Sequence, residues 1–417
     1  MSKQIKLKKK RILCVTSNFP RWEGDSTTPF VLHLAEDLQA LGWTVDVLAP
    51  HAASAASREV LGGVNVSRFR YLWPTSLETV CYQGGALINL KKNRSNFIKL
   101  PALVFFEWLA IVNRLMWGKY DLLHSHWILP QGFTGVLAAR LFGIPHVITV
   151  HGGDAFALQG KVLSGFKRFS LSGADAVTVN SSATKNKVIS IAPDISEPRL
   201  IPMGVTTTEP NRQQGAELRS KYREGNGPLL VFVGRLVYGK GVDDLLQAVA
   251  IIKTTLPDVK VLIVGEGPLR SDLENLALSL KIADRVIFTG WVASSEVSNY
   301  LAAADMFVGP SKQSPDGWIE GQGLTFLEAM AAGTVVIATA SGGIEDSVTD
   351  EKSGILVPEN SPQAIAESVL RLEADSSLRD YLETQAKQVV GRFSRGKSAS
   401  SFSDLFDETI AHIRRSR

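Results

Sequence analysis

The chain has 417 residues, of which 45% are apolar and 21% charged, an ordinary soluble composition that excludes a coreless chain and leaves room for two or three domains. Two cysteines, Cys14 and Cys81, are too few for a disulfide framework and point to a reducing compartment. The net charge of +4 hides an asymmetry, since residues 1–226 carry 27 Lys and Arg against 16 Asp and Glu while residues 227–417 carry 18 against 25.

The first residues, through Lys10, are basic, but the apolar run after them is only strand length, so no secretory leader is expected. From Arg11 the order is an apolar strand containing Cys14, a loop over 18–25 with Phe19-Pro20 and Gly24-Asp25, a helix over 29–41, and a strand over 43–49. This is a βαβ unit, and the alternation continues through 121–125, a helix near 132–142, 145–151 and 174–180. A doubly wound α/β domain follows, with ligands beyond the carboxyl ends of its strands.

Residues 91–117 stand apart. Lys91, Lys92, Arg94 and Lys99 lead into an apolar stretch ending at Trp117, interrupted by Glu107, Asn113 and Arg114. About 20 uninterrupted apolar residues are not available, so the stretch is not expected to span a membrane. It reads either as an interfacial segment on an anionic bilayer or as a core helix with a solvated basic start, and the cationic first half favours the bilayer. No nucleic-acid partner is expected.

Two strand ends carry polar groups. His124-Ser-His126-Trp127 places two imidazoles on one side of a strand, but neither a cysteine nor a third histidine accompanies them along the chain, so no metal is expected. His151-Gly-Gly-Asp154 closes the next strand, and its glycines allow close backbone approach. A neutral imidazole there can hydrogen-bond a hydroxyl or steady developing charge, although a strand-end histidine is often purely structural.

Residues 206–227 are polar, with Pro210 and several glycines, and read as an interdomain linker. Strands then recur from Leu229, at 260–264, 286–289, 306–309, 335–339 and 355–357, which describes a second doubly wound sheet. The first turn, Gly234-Arg235 through Lys240-Gly241, suits a diphosphate: an arginine for bidentate contact and a lysine as point charge. It lacks the spacing of a Walker loop. Val264-Gly265-Glu-Gly267 has Arg270 where a dinucleotide fold needs a third glycine, which argues against nicotinamide. Trp291 and Val292, after the next strand, offer backbone groups to a base edge.

The richest stretch is 316–333. Glu320 precedes the turn Gly321-Gln322-Gly323; Leu324, Leu327 and Met330 then follow helical spacing, with Glu328 on the second turn and Gly333 at the stop. Free amides at a helix start favour a phosphate, and a carboxylate on either side suits the hydroxyls of a nucleotide sugar. Residues 398–417 form an amphipathic helix through Phe402, Leu405, Phe406, Ile410 and Ile413, with Arg414, Arg415 and Arg417 at its C-terminal end.

These residues together resemble the family-4 retaining glycosyltransferases of the GT-B class: the Phe19-Pro20 loop with Gly24, His151-Gly-Gly-Asp154, Gly234-Arg235 with Lys240, the Gly265/Gly267 turn, and above all the Glu320/Glu328 pair. The resemblance implies two Rossmann-like domains facing across a cleft, an acceptor domain at 1–205 and a donor domain at 228–397, with the last helix crossing the junction to pack on the first. It implies that Arg235 and Lys240 neutralise the donor diphosphate and that Glu328 accepts the ribose hydroxyls. Glu320 would hold the transferred sugar with the amides of residues 321–324, and Gly234, Gly267, Trp291 and Val292 complete the donor side. His151 would contact the transferred sugar, and Gly24, Asp25 and Asp154 would lie on the acceptor side. Neither metal nor cofactor is implied beyond a nucleotide-diphosphate sugar as donor substrate. The acceptor would be a glycan or a lipid-linked sugar at the cytoplasmic face of a membrane. The rival readings are an inactive membrane-associated scaffold of the same fold and a nucleotide-sugar epimerase. The segment 313–318 is not a fixed part of the family motif.

Overall fold

A computed structural model of the chain describes residues 9–25, 27–82, 85–157, 160–206 and 209–415. The basic residues ahead of Lys9, the Lys91 side chain and Arg417 lie outside this description. The chain forms two units, one of Met1–Asn180, Thr184–Gly204 and Arg395–Arg417, the other of Ser181–Ala183 and Val205–Ser394.

The first unit is built on an eight-stranded sheet. Its strands are β1 (Arg11–Val15), β2 (Thr44–Pro50), β3 (Arg58–Leu61), β4 (Val64–Phe69), β5 (Leu122–His126), β6 (His146–Val150), β7 (Ala176–Val179) and β8 (Arg199–Leu200), in the order β3-β4-β2-β1-β5-β6-β7-β8. All neighbours are parallel except β3 and β4. The inner strands are near-continuous apolar runs because helices cover both faces of a parallel sheet, and β5 and β6 are buried at every residue.

The sequence reading assigned nothing to the β3–β4 hairpin. Its turn is Gly62-Gly63, both at positive φ (55° and 79°), the conformation that a two-residue hairpin turn with right-handed strand twist demands. The outer strand Arg-Glu-Val-Leu is mostly exposed, so no strong apolar pattern marks it.

The second unit holds a fully parallel sheet of six strands: β9 (Leu229–Val233), β10 (Lys260–Val264), β11 (Val286–Gly290), β12 (Met306–Gly309), β13 (Val335–Thr339) and β14 (Ile355–Val357), in the order β11-β10-β9-β12-β13-β14. Apolar clusters fill both faces. The stretch expected to be a linker is folded into this unit. Arg212–Tyr222 is a helix whose Asn211 cap accepts from the amides of Gln213 and Gln214, and whose Arg219 reaches the Ala303 carbonyl (2.9 Å) and Asp305 (2.6 Å). It is held by polar contacts at its ends, with Gly215 its one buried residue, so apolar periodicity could not reveal it.

The last helix, Arg395–Arg415, begins three residues before the expected boundary and belongs to the first unit. Phe402, Leu405, Phe406 and Ile410 are buried, and Arg395 forks onto Asp37 of the helix Pro29–Ala40 at 2.8 and 2.7 Å. Trp43 Nε1 donates to Ser403 Oγ at 2.9 Å and its ring meets Phe406 edge-on. Residues 91–117 satisfy neither sequence reading alone. In the helix Asn96–Gly118, Leu103, Ile111, Val112 and Leu115 enter the core, while Phe97, Ile98, Phe105, Met116 and Trp117 are exposed.

Because Phe406 is fully buried in the first unit, Phe406→Ala is expected to cost about 3–5 kcal/mol in urea denaturation. A loss under about 1 kcal/mol would show that the last helix does not contribute to that core.

Candidate active site

The donor-side residues stand on loops at the carboxyl ends of β9, β12 and β13, where an open parallel sheet collects ligands. After β9, Gly234-Arg235-Leu236 lies against the turn after β10: a Cβ on Gly265 would stand 2.0 Å from the Gly234 carbonyl oxygen, and one on Gly267 2.3 Å from that of Leu236. Leu236 N donates to the Glu266 carbonyl and Leu269 N to that of Leu236. Gly265 and Gly267 therefore allow two backbones to meet, which fixes the loop carrying the exposed Arg235. Trp291 and Val292 follow β11, with Trp291 57% exposed and able to meet a planar group.

Lys240 ends a tight turn (Tyr238–Lys240) pinned from several sides. Lys312 N donates to the Gly239 carbonyl at 2.9 Å, and a Cβ on Gly239 would strike the Trp318 ring at 2.4 Å. Gly241, at φ 63°, lies against the Pro310 carbonyl, where a Cβ would be 1.8 Å away. Lys240 Nζ lies 2.5 Å from Glu320 Oε2 and 5.8 Å from the centre of the Trp318 ring. Beneath it Lys312, almost wholly buried, bonds Asp243 (2.8 Å) and Asp244 (2.9 Å).

Glu320 is 9% exposed, and Ser311 Oγ also donates to its Oε2 at 3.4 Å. Its backbone is locked to the turn after β13. Gly343 N donates to the Glu320 carbonyl at 3.0 Å, and Cβ atoms on Gly342 and Gly343 would stand 2.2 and 2.0 Å from the carbonyl oxygens of Glu320 and Gly321. Gly323, at φ 73°, starts the helix Leu324–Ala331, so the chain from Gly321 and Gln322 runs directly into a positive dipole end. One turn on, the Glu328 carboxylate has no hydrogen bond or ion pair among the described residues, while its backbone carbonyl accepts from Ala332 N. Burial pushes its carboxyl above the ordinary range, the environment of a group that lacks a donor for its charge. Glu320 and Lys240 are thus brought together, with Glu328 on the short helix that follows Glu320.

In the first unit His151 ends β6. Asp154 accepts from Ile128 N (2.8 Å) and His151 N (3.1 Å), and Asn180 Nδ2 donates to the His151 carbonyl (3.1 Å). The His151 ring stacks on His126, with Nε2 2.9 Å from His126 Nδ1, and touches Phe30 and Trp127. Burial lowers its pKa to about 3, so the imidazole is neutral, and its Nδ1 is buried without a partner. Asp25 is occupied within its own loop, accepting from Arg21 Nε (2.7 Å), Arg21 N (2.9 Å) and Thr27 Oγ1 (2.9 Å). Burial pushes that carboxyl up, but the Arg21 and Thr27 bonds prevail and hold it below the ordinary value. Asp25 and Asp154 shape loops, while Gly24, at φ 81°, makes the bend just ahead of Asp25.

One expectation is corrected. A cysteine does accompany His124 and His126: Cys14 pairs with His124 across β1 and β5, and ligand atoms of the three lie within 4.8 Å of one another. Neighbours across a parallel sheet are invisible to spacing along one strand, and this pair joins residues 110 apart in sequence. His124 Nε2 is engaged with Thr149 Oγ1 at 2.7 Å, and burial raises the Cys14 thiol to about 12. Ser311, Lys312, Trp318, Gly342 and Gly343 were also missed; the last two had a signal, a Gly-Gly directly after a strand.

Residues 27–204 match a family described as a glycosyl transferase 4-like domain, and residues 215–389 match glycosyl transferases group 1. The chain is 36% identical over 241 residues to the GDP-mannose-dependent alpha-(1-6)-phosphatidylinositol monomannoside mannosyltransferase of Mycobacterium tuberculosis, covering 57% of this chain and 63% of that protein. It is 30% identical over 290 residues to TuaC of Bacillus subtilis, a glycosyltransferase provisionally assigned to teichuronic acid biosynthesis, covering 67% and 69% of the two chains. Among solved structures it resembles the sucrose-phosphate synthase of Thermosynechococcus elongatus (TM-score 0.79, 24% identity, 97% and 100% covered). It also resembles Anabaena HepE in complex with UDP and glucose (TM-score 0.74, 17% identity, 96% and 100% covered). These last two likenesses show the two-domain GT-B fold.

His124, His146 and His151 are held near pKa 3 and His126 well below its ordinary value, burial being the first cause in each. An unfolded chain therefore binds more protons below about pH 6.5, and stability is lost as pH falls through that window. Glu107, raised by burial to about 7, opposes this, as do Asp154, Asp244 and Glu328, which burial also raises. The unfolding free energy from urea denaturation is expected to drop between pH 7 and pH 5, by up to about 2 kcal/mol per histidine before that offset. A flat or rising profile would contradict neutral burial of these rings.

Proposed function

The chain belongs to the group 1, family-4 glycosyltransferases of GT-B fold, and from that premise we propose that it is a retaining hexosyltransferase using a nucleotide-diphosphate sugar. The observation that carries this reading is the Lys240–Glu320 contact at 2.5 Å, with the partnerless Glu328 on the adjoining helix. A lysine that can hold a diphosphate thus sits beside a carboxylate that can hold sugar hydroxyls. The cations Arg235 and Lys240 stabilise the charge that develops on the departing diphosphate, with the helix start at Leu324 adding its dipole. Glu328 accepts the ribose hydroxyls, which gives its half-buried carboxylate the donors that the protein does not supply.

In the proposed reaction the bond between the anomeric carbon and the diphosphate oxygen breaks while a bond to the acceptor oxygen forms on the same face. The leaving phosphate oxygen takes the acceptor's proton, so no protein nucleophile is needed. Neutral His151 contributes a hydrogen bond to the transferred sugar. We further read the acceptor as a glycan or lipid-linked sugar taken by the first unit at the cytoplasmic face of a membrane, in cell-surface polysaccharide or glycolipid synthesis. The excess of 27 cationic over 16 acidic residues in 1–226 supports that placement, as does the phosphatidylinositol monomannoside named for the mycobacterial relative. An inactive scaffold would have no use for a half-buried Glu328 carboxylate without a protein partner, on the helix that follows the lysine–glutamate pair.

Incubation with a panel of nucleotide sugars is expected to release nucleoside diphosphate from one of them. Arg235→Ala and Glu320→Gln should each lower turnover by about a hundredfold or more with unchanged melting temperature. Wild-type turnover in either variant contradicts its role, and silence across the panel contradicts the transferase reading.

Cations in place of a divalent ion predict a further outcome: turnover survives dialysis against EDTA within about twofold. Loss on chelation with recovery on adding magnesium or manganese would replace this arrangement with a metal-assisted one.

A further inference from the structure

The helix Asn96–Gly118 has a face that the transfer chemistry does not use. It is 23 residues long, yet only 28% of its most apolar window is buried. Ile98 is 83% exposed and Trp117 78%, at opposite ends of the helix, with Phe105 at 53% between them. Its other face is fixed in the core by Leu103, Ile111 and Leu115, and its buried Glu107 accepts from Gln131 (2.8 Å) and Thr134 (2.7 Å). The helix is therefore anchored lengthwise along the unit and cannot leave it to cross a bilayer.

Between it and the helix Phe133–Phe142 runs a groove of about 650 Å³, lined by Phe97, Leu100, Val104, Phe105, Trp108 and Leu137. Its polar lining residue, Thr134, already donates its hydroxyl to Glu107. The volume falls in the range of small-molecule sites, and its lining holds one polar atom without a partner, the buried Trp108 Nε1, too little to orient a polar ligand, so the occupant is mainly hydrocarbon. The charge around it is one-sided. Residues 86–120 contain six Lys and Arg and one acid, the buried Glu107; of the four cations in 133–173, Lys167 is buried and Arg168 pairs with Asp194, which leaves Arg140 and Lys161. Lys92 and Arg94 stand beside the exposed Phe97 and Ile98, and Lys119 beside Trp117. Aromatic and cationic residues at both ends of a flat apolar face are the pattern of a helix lying in the headgroup boundary of an anionic membrane.

We propose that this groove takes one acyl chain of an anionic bilayer phospholipid, with the helix Asn96–Gly118 lying flat in the headgroup region. The proposal rests on the membrane-surface reading above and not on the transfer chemistry.

The full-length protein is sedimented with vesicles of phosphatidylcholine alone and of phosphatidylcholine with phosphatidylglycerol. Binding is expected to the mixed vesicles, weakened by salt but not abolished. Leu137→Trp and Val104→Trp, which fill the groove from half-exposed positions, are expected to lower that binding at least about tenfold with unchanged melting temperature. Brominated acyl chains should quench wild-type fluorescence, with part of the quenching lost in Trp108→Phe. Release of nucleoside diphosphate in solution should be unchanged in the groove variants, which separates failure of the groove from failure of the transferase reading. The proposal is overturned by absence of binding to mixed vesicles, by equal binding to neutral ones, or by wild-type binding with the groove filled. A dimer in solution that the groove variants dissociate would assign the face to a second copy and overturn it equally.

Discussion

The contact between Lys240 and Glu320 is the constraint around which the second unit is built. An ion pair at this partly buried depth contributes little net stability, because desolvation offsets most of the attraction. Its position is held instead by backbone packing. Gly239 against Trp318, Gly241 against the Pro310 carbonyl, and Gly342 and Gly343 against the carbonyls of Glu320 and Gly321 leave no space for a Cβ. Three strand ends are thereby fixed relative to one another, and the two charged side chains meet as a consequence. Such preorganisation is what electrostatic catalysis requires, since the charges need not be moved into place during reaction.

Much of this was legible in the sequence, for reasons tied to particular residues. The parallel strands read clearly because runs such as Leu229–Val233 are apolar throughout, and the Glu320–Glu328 stretch combined a glycine turn, a helix pattern and two carboxylates. What stayed hidden depended on distant partners. Cys14 meets His124 only through strand pairing, and the hairpin Arg58–Phe69 has an exposed outer strand with weak alternation. The helix Arg212–Tyr222 is polar almost all round and looked like a tether. Gly342 and Gly343 were visible as letters, but their function as the floor of the Glu320 loop exists only in three dimensions.

Carboxylates also divide by what they touch. Asp25 and Asp154 each accept several hydrogen bonds from their own surroundings and so hold loops in shape. Glu328 accepts none among the described residues, which leaves its acceptor capacity for a ligand. In the first unit the buried imidazoles are neutral and linked, with His126 against His151 and His124 against Thr149, so His151 is presented in a fixed orientation. The same unit turns an apolar, acid-free face outward along Asn96–Gly118 while the other face of that helix enters the core; sequence reading divided the stretch between core and membrane, and the exposed face is the one proposed to meet a bilayer.

The proposed division of labour, with Lys240 on the diphosphate and Glu320 on the sugar, is tested most directly by calorimetric titration of a nucleoside diphosphate and of the matching nucleotide sugar. Lys240→Ala is predicted to weaken both ligands about tenfold or more. Glu320→Gln is predicted to leave the nucleoside diphosphate within about twofold of wild type while removing the extra affinity conferred by the sugar. Equal losses for both ligands in Glu320→Gln, or unchanged binding of the diphosphate in Lys240→Ala, would contradict that assignment.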